Sequence, residues 1–422
     1  MALLFLCLIF GTGRTQKIEA AVQNVPESLE EESRLDTVGT DQETERAAVR
    51  EKKGQQEKEA GDTETDQAAA AQDELLAELD FDAIQQEVDS LLSSQQFSFA
   101  GTVRSLLQDG DPFRIFRAGN AVLSCAKTAF LAQKGLMKEL FLLVLAGAVL
   151  GSFSSLFEGK QVRDASFYMV YLLALALILK NFQSSGENLK AVITSLVAFM
   201  RILTPSYYLA AAAAGGASSA VMFYQMLLLV ILAVEKLLLA LVLPMIHIYL
   251  LIALVNDLSG EEILSHMTEL LETCVNGLLK SSLGVLVGMQ MIRNLIAPAL
   301  DSLRQMALWR TAGMIPGIGN AVNAVTELVA GSAVLIRNCF GVTAMLVLLA
   351  AGMVPAVQLL VSGLSFRLLA AAAQPVSDKR IAGCLAAAGK GYAMLLRLLL
   401  TVEVLFFADD CNPGGNFFLE RV

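Results

Sequence analysis

Two long apolar runs divided by only two polar residues constrain this chain more than any other feature. The stretch from Pro316 to Leu364 reads PGIGNAVNAVTELVAGSAVLIRNCFGVTAMLVLLAAGMVPAVQLLVSGL, and only Arg337 and Asn338 divide it. Each run approaches the ~20 residues that a helix needs to cross ~30 Å of hydrocarbon. Small residues recur in both runs and Pro355 lies inside the second, as is tolerated where transmembrane helices pack closely. The stretch predicts two packed transmembrane helices.

The composition extends this interpretation to the rest of the chain. Hydrophobic residues make up 55% of the 422 residues and charged residues 17%, and the mean hydropathy is +0.58. These values lie well outside the range of ordinary soluble domains. We therefore predict an all-α, polytopic helical membrane protein.

Catalytic and nucleic-acid-binding functions find little support in the sequence. Between Pro26 and Gln72, fourteen acidic residues face six basic ones, which disfavours binding to nucleic acid. The six cysteines form no CxxC pair and only two histidines are present, so we expect neither a disulfide framework nor a metal site. The segment GLLKS at 277–281 lacks the upstream glycine and strand of a phosphate loop. We expect no enzymatic activity, no ATPase within this chain and no cofactor.

The first third of the chain divides into three predicted segments. Residues 1–21 are interpreted as a signal peptide, with a mis-assigned start or an uncleaved anchor as the alternative. Residues 22–72 are acidic and poor in aromatic residues, which predicts disorder. Residues 73–138 contain amphipathic stretches and predict a small extracytoplasmic helical region or a partner-binding arm, or else helices lying on the membrane surface.

Eight membrane-spanning helices are predicted after this region, followed by a tail at 409–422. Two lie in 139–180, two in the stretch described first, and the segments 188–203 and 297–315 are interpreted as interfacial helices, with a transmembrane alternative for 188–203. The spans are Leu140–Phe157, Val162–Leu179, Ser206–Val234, Leu237–Val255, Cys274–Ile292, the two runs of Pro316–Leu364, and Tyr392–Phe407.

The prolines suggest an internal duplication. Pro205 and Pro244 are 39 residues apart, as are Pro316 and Pro355. This spacing predicts a first membrane repeat at 188–292 and a second at 297–408. Each repeat would hold three spans, so the second would have inverted topology, as in many secondary transporters.

Charge distribution assigns the predicted loops to opposite faces of the membrane. The segment 258–273 carries acidic residues and no Lys or Arg, whereas 367–390 is basic. Because basic residues remain on the cytoplasmic side, we expect 258–273 outside and 367–390 inside.

Ionisable residues inside the predicted spans are the candidate functional residues, because burying charge in lipid costs several kcal/mol. They define a candidate intramembrane polar path, although interhelical pairing or snorkelling explains the same pattern. The path comprises Lys280, Glu327, Lys390, Arg397 and Glu403. A second set is predicted to act in helix packing or as hinges, namely Pro205, Pro244, Pro316, Gly317, Gly319 and Pro355.

The order of these features resembles the stage III sporulation protein AE family of endospore-forming bacteria. The resemblance runs from about residue 75 to residue 410 and is strongest between 275 and 380. It is carried by FYMVYLLALAL, LLKSSLGVLVGMQMIRNLIAPALDSL, IPGIGNAV, ELVAGSAVLIRNCFGVTAMLVLLAAGMVPAVQLL, and a closing segment with Ser377, Asp378 and Lys379.

The resemblance implies a role but no site residues. It implies a subunit of a complex in the mother-cell membrane around the forespore, acting as a channel or secretion-like apparatus. The implied partners are the other complex subunits, including a secretion-type ATPase, a forespore membrane partner and the lipid bilayer. Two alternatives remain, a scaffold that anchors other subunits and a stand-alone solute transporter.

Overall fold

The computed structural model describes residues 81–92, 97–109, 119–154, 160–213, 218–259, 264–312, 319–375 and 377–410. The predicted signal peptide and acidic segment lie outside these ranges, as do Pro316, Gly317 and most of the predicted tail. All described residues belong to one compact unit, which spans Ala71–Val422.

Every regular element in the described ranges is helical, which confirms the all-α prediction. One π-helical turn, Leu238–Val242, joins α5 to α6. The α-helices are α1 Phe81–Leu91, α2 Phe99–Asp109, α3 Gly119–Ser154, α4 Lys160–Ala213, α5 Ser218–Leu237, α6 Leu243–Ser259, α7 Ser265–Ala312, α8 Gly319–Ala373 and α9 Lys379–Asp410.

The helices are longer and fewer than the predicted spans. With 54 and 55 residues, α4 and α8 each extend about 80 Å at 1.5 Å per residue. The predicted loop at 181–187 is part of α4, the interfacial segment 297–315 lies largely in α7, and Arg337 and Asn338 lie inside α8. Isolated polar residues did not end these helices because they keep helical backbone geometry at little cost.

Four stretches of the described residues are long and apolar enough to cross a membrane. This finding supports membrane insertion but does not confirm eight spans. The stretches are Phe167–Tyr207, Gln225–Ser259, Ser265–Ile292 and Gly331–Ala373.

The last described helix, α9, is the centre of the bundle. It contacts α4, α5, α6, α7 and α8, and most extensively α8. Its close approach to α8 depends on glycine, because a Cβ on Gly389 would lie 3.2 Å from the carbonyl oxygen of Gly363. Side chains on nearly all sides of α9 between 391 and 406 are buried, and Arg397 is an exception.

Contacts between α6, α7 and α9 contradict the predicted placement of two loops on opposite faces. Arg380 Nη1 donates a hydrogen bond of 3.3 Å to the carbonyl oxygen of Leu258. Lys390 forms an ion pair with Glu272. The segments 258–273 and 367–390 therefore meet at the same end of the bundle, and the opposite-face prediction is wrong. The charge rule failed here because opposite charge has a second cause: an acidic segment and a basic segment also arise where the two pair with each other on one face.

The predicted repeat is not confirmed. Pro205 lies within α4 and Pro244 in α6, two separate helices, whereas Pro355 lies within α8, which begins at Gly319 after Pro316. The equal spacing of the prolines therefore corresponds to different helix arrangements.

Pro244 lies two residues after the π-helical turn, in the first turn of α6. A proline has no N–H, and its ring crowds the carbonyl four residues back, so it weakens or kinks the helix at that point. Here the preceding N–H, that of Leu243, donates to the carbonyl of Leu238, five residues back. The backbone thus widens for one turn before Pro244, which leaves the hinge prediction open and gives it a local structural basis.

Helices α1 and α2 form an amphipathic hairpin against α4 and α8. The rings of Phe81 and Phe99 lie 5.7 and 5.0 Å from that of Phe340 on α8, and Phe99 also contacts Phe199 on α4. Helix α3 begins at Gly119 and continues to Ser154, so the predicted boundary between residues 138 and 139 falls inside one helix.

Candidate functional site

The five predicted path residues occupy different environments. Glu403 is buried in α9, whereas Lys280, Lys390 and Arg397 are exposed. The side chain of Glu327 lies outside the described residues, although its backbone belongs to α8. Only Glu403 therefore reaches the interior among the path residues whose side chains are described.

The exposed basic residues of α9 join it to its neighbours. The Lys390 ammonium pairs with Glu272 of α7 and lies 5.9 Å from the ring centroid of Tyr249 in α6. Arg397 Nη1 donates a hydrogen bond of 3.0 Å to Asn276 Oδ1 of α7. These contacts fit the interhelical-pairing alternative for Lys390 and Arg397.

The Glu403 carboxyl fits against a glycine of the neighbouring helix. Its relative exposure is 4%, and a Cβ built on Gly352 of α8 would collide with the carboxyl group. Oε1 has no hydrogen-bond partner within the described part of the chain. Glycine at 352 therefore provides the space in which a polar group is held inside the bundle.

A second buried acid, Glu235 in α5, was not among the predicted site residues. Its relative exposure is 1%, and neither carboxyl oxygen has a hydrogen-bond partner among the described residues. Glu235 and Lys236 are adjacent and lie between the predicted spans Ser206–Val234 and Leu237–Val255, so the sequence pattern indicates a break between two spans. The position of Glu235 within a long apolar stretch was the signal that could have identified it.

The two buried acids lie at one level of the bundle. Helices α6 and α9 are antiparallel, and Tyr249 lies beside Lys390. Glu235 precedes Tyr249 by 14 residues, and Glu403 follows Lys390 by 13 residues. Because α5 continues into α6 through the π-helical turn, the acids share a level to within about one helical turn.

A polar network surrounds Tyr392 in the centre of the bundle. Asn181 Nδ2 of α4 donates a hydrogen bond of 2.7 Å to the Tyr392 hydroxyl, and Ser185 Oγ lies 3.3 Å from it. The ring stacks on Phe366 of α8 with centroids 5.3 Å apart. These contacts fix α9 relative to both long helices.

A groove between α4 and α6 encloses a cavity of about 360 Å³. The His247 ring forms part of its lining, with Nδ1 2.9 Å from the carbonyl oxygen of Leu243. A Cβ on Gly186 would lie 2.6 Å from this ring, so glycine makes room for it. The groove is lined by Leu179, Phe182, Gln183, Gly186, Glu187, Lys190, Leu243, His247 and Leu251.

Metal binding finds no support in the described ranges, where no three His, Cys, Asp or Glu side chains are grouped as ligands. The arrangement offers two buried carboxyls, one central hydrogen-bond network and one amphipathic groove. Buried carboxyls can bind and release protons or cations, and the groove can hold an amphiphilic molecule.

Comparison with known proteins identifies the family. The family model for stage III sporulation protein AE matches residues 97–409. Stage III sporulation protein AE of Bacillus subtilis strain 168 is 23% identical over 278 residues, which cover 66% of this chain and 70% of that protein. No solved structure matches the chain. The chain belongs to the stage III sporulation protein AE family.

Proposed function

We propose that this protein is the transport-path or export-gate subunit of a membrane complex that connects the mother cell to the forespore. Its family membership supports a role in sporulation, and its apolar helices support insertion into a membrane. The proposed partners are the other subunits of the stage III complex, a secretion-type ATPase that supplies energy, and a component of the forespore membrane. The proposed location is the mother-cell membrane around the forespore.

The observation that carries the transport proposal is the Glu403 carboxyl, buried on the central helix. Leaving a polar group buried without a partner costs ~1–3 kcal/mol. A protein that needed only a rigid anchor would be more stable with an apolar side chain at this position, whereas transport requires groups that change their charge or partner. Glu235, at the same level on α5, repeats the same costly arrangement.

The position of Glu403 couples it to the rest of the bundle. Its carboxyl touches α8 at Gly352, and α9 contacts four further helices. A change in the state of this carboxyl would therefore be transmitted to the α8–α9 interface directly. This is the mechanical requirement for a gate.

The test is a charge-removing substitution that preserves shape. Glu403→Gln should greatly reduce the yield of heat-resistant spores while the protein level and its co-purification with the other complex subunits stay normal. The matched control is Thr401→Val on the same helix, because Thr401 is also buried and its hydroxyl donates only to the Arg397 carbonyl of its own helix. This control should sporulate normally.

Three results would contradict the proposal. Normal sporulation of Glu403→Gln would remove its main support and favour a scaffold. Loss of co-purification in this variant, with Thr401→Val intact, would assign Glu403 to assembly instead. Solute uptake by the purified protein alone in liposomes would favour the stand-alone transporter.

A further inference from the structure

We propose that the groove between α4 and α6 binds an aminophospholipid, with the headgroup at Glu187 and Lys190 and an acyl chain along Leu179 and Leu251. This proposal goes beyond the transport function and does not depend on it. It rests on the shape of the groove, on the charges at its edge and on the apolar surface at one of its ends.

The groove lies where two antiparallel helices pack closely at a glycine of α4, Gly186. Phe182 and Gly186 form its buried floor on α4, and Leu243 and His247 lie opposite on α6. The Phe182 ring meets the imidazole of His247 edge to face, with centroids 5.3 Å apart. The floor is thus fixed by packing and is mostly apolar, as ligand pockets of this size generally are.

The edge of the groove carries one negative and one positive charge, one helical turn apart. Gln183 Nε2 donates a hydrogen bond of 3.1 Å to Glu187 Oε1, which orients this carboxylate. Lys190 follows Glu187 by three residues and lies on the same face of α4. A phosphoethanolamine headgroup presents an ammonium and a phosphate at a comparably short separation. The ammonium would bind Glu187 and the phosphate Lys190, both through charge-assisted hydrogen bonds.

The apolar end of the groove opens onto an apolar outer surface. Leu251 is 52% exposed, and Ile248 on α6 and Leu172 and Leu173 on α4 are also exposed. Leu179 lies at this end of the groove and is the last residue of the apolar part of α4. The more polar segment 180–190 follows it. An acyl chain leaving the groove here would remain on side chains suited to lipid.

The other end of the groove lies at Lys190 of α4 and Leu243 of α6. Beyond Lys190, α4 reaches Phe199, where the α1–α2 hairpin packs through Phe99. The outward side of this hairpin carries charged residues, including Asp82, Asp89 and Arg104. On the α6 side the helix continues past Leu243 to the exposed Leu241 and Leu237, so the headgroup position is defined by Glu187 and Lys190 and not by the surface beyond them.

Lipid retention by the purified full-length chain tests the proposal. The protein is equilibrated in detergent micelles doped with equal amounts of dioleoyl phosphatidylethanolamine, phosphatidylglycerol and phosphatidylcholine, and bound lipid is counted by native mass spectrometry. Phosphatidylethanolamine should be retained about tenfold over either competitor, because phosphatidylglycerol lacks the ammonium and phosphatidylcholine has no N–H to donate to Glu187.

Paired substitutions locate the lipid in the groove. Glu187→Gln should remove the preference and Lys190→Gln should lower the retention of all three lipids, because all three carry the phosphate, whereas Lys180→Gln, on the same helix but outside the groove, should change neither. Leu251→Trp should fill the apolar end and reduce total retention about tenfold, whereas Leu229→Trp, at an exposed leucine of α5 that does not line the groove, should not. Helical circular dichroism confirms that each variant is folded.

Three results would overturn the proposal. The first is equal retention of the three lipids. The second is a preference for phosphatidylglycerol, which would indicate a general basic site. The third is an unchanged preference in folded Glu187→Gln, or unchanged total retention in folded Lys190→Gln.

Discussion

Substituting Gly352 with alanine should destabilise the bundle, and a second substitution should reverse the effect. The added methyl group would occupy the space of the Glu403 carboxyl, and no rotation of a helical Cβ avoids this. Overpacking of this kind costs typically ~1–3 kcal/mol, while alanine gains ~1 kcal/mol over glycine in helix propensity. We therefore expect Gly352→Ala to lower the free energy of unfolding by up to about 2 kcal/mol.

The double variant separates this collision from other effects. In Gly352→Ala/Glu403→Ala the carboxyl is absent and the new methyl partly fills its space. The two substitutions should therefore couple favourably by ~1–3 kcal/mol, since contacting residues are non-additive on this scale. Reversible unfolding in mixed micelles, followed by circular dichroism, measures all four members of the cycle.

The control uses a glycine with open space around it. A Cβ on Gly277 of α7 would meet no atom within 4 Å. Gly277→Ala should therefore keep or raise stability by up to ~1 kcal/mol. If Gly352→Ala behaves like this control, or if its effect simply adds to that of Glu403→Ala, the contact between Gly352 and the carboxyl is refuted.

Three further predictions follow from contacts of α9. Tyr392→Phe removes a buried hydroxyl that accepts a 2.7 Å hydrogen bond from α4 and should cost about 1–3 kcal/mol in the same unfolding assay. Lys390→Gln breaks the pair with Glu272 and should cost less than about 1 kcal/mol, because both side chains retain solvent contact. Cysteines replacing Asp257 and Gly383 should form a disulfide on mild oxidation in a background without native cysteines, because a Cβ on Gly383 lies 3.1 Å from Asp257 Cγ.

Each of these predictions has a control and a contradicting result. Tyr168→Phe alters an exposed tyrosine and should change the free energy of unfolding little. If Tyr392→Phe changes it equally little, the hydrogen bonds described around the Tyr392 hydroxyl are refuted. A loss well above 1 kcal/mol for Lys390→Gln would mean that the ion pair is more buried than described. In the cross-linking experiment, Gly277→Cys paired with Gly383→Cys should remain reduced. Failure of the first cysteine pair would reopen the prediction that the two loops lie on opposite faces.

The sequence predicted the helical class, the membrane character and one important buried residue. The apolar residues around Glu403 predicted that this carboxyl lies inside a membrane helix. Glu403 is buried because the apolar side chains of α9 pack against neighbouring helices on nearly all sides. Local periodicity carries this information because it reports which face of a helix leaves water. In α1 the predicted stripe passes through Ala83, Glu87 and Leu91, whereas the buried face is formed by Ile84 and Val88, one position further along the chain.

Helix ends and helix partners could not be predicted in the same way. Glu235 with Lys236, and Arg337 with Asn338, look like the ends of spans because a transfer scale penalises charge wherever it occurs. Within a protein interior, neighbouring helices rather than lipid surround such groups, so the helix can continue. The pairing of Lys390 with Glu272 depends on long-range contacts that no local pattern records.

The position of α9 in the chain has a consequence for biogenesis. This segment leaves the ribosome after α4 to α8, yet it packs against all five of those helices. Until it arrives, the inner faces of the earlier helices have no permanent occupant, and the nascent chain depends on the insertion machinery or on chaperones to keep them apart. A frameshift or stop codon shortly before Lys379 would therefore leave α1 to α8 translated but without the helix against which α4 to α8 pack. We expect membrane proteases to degrade such a product.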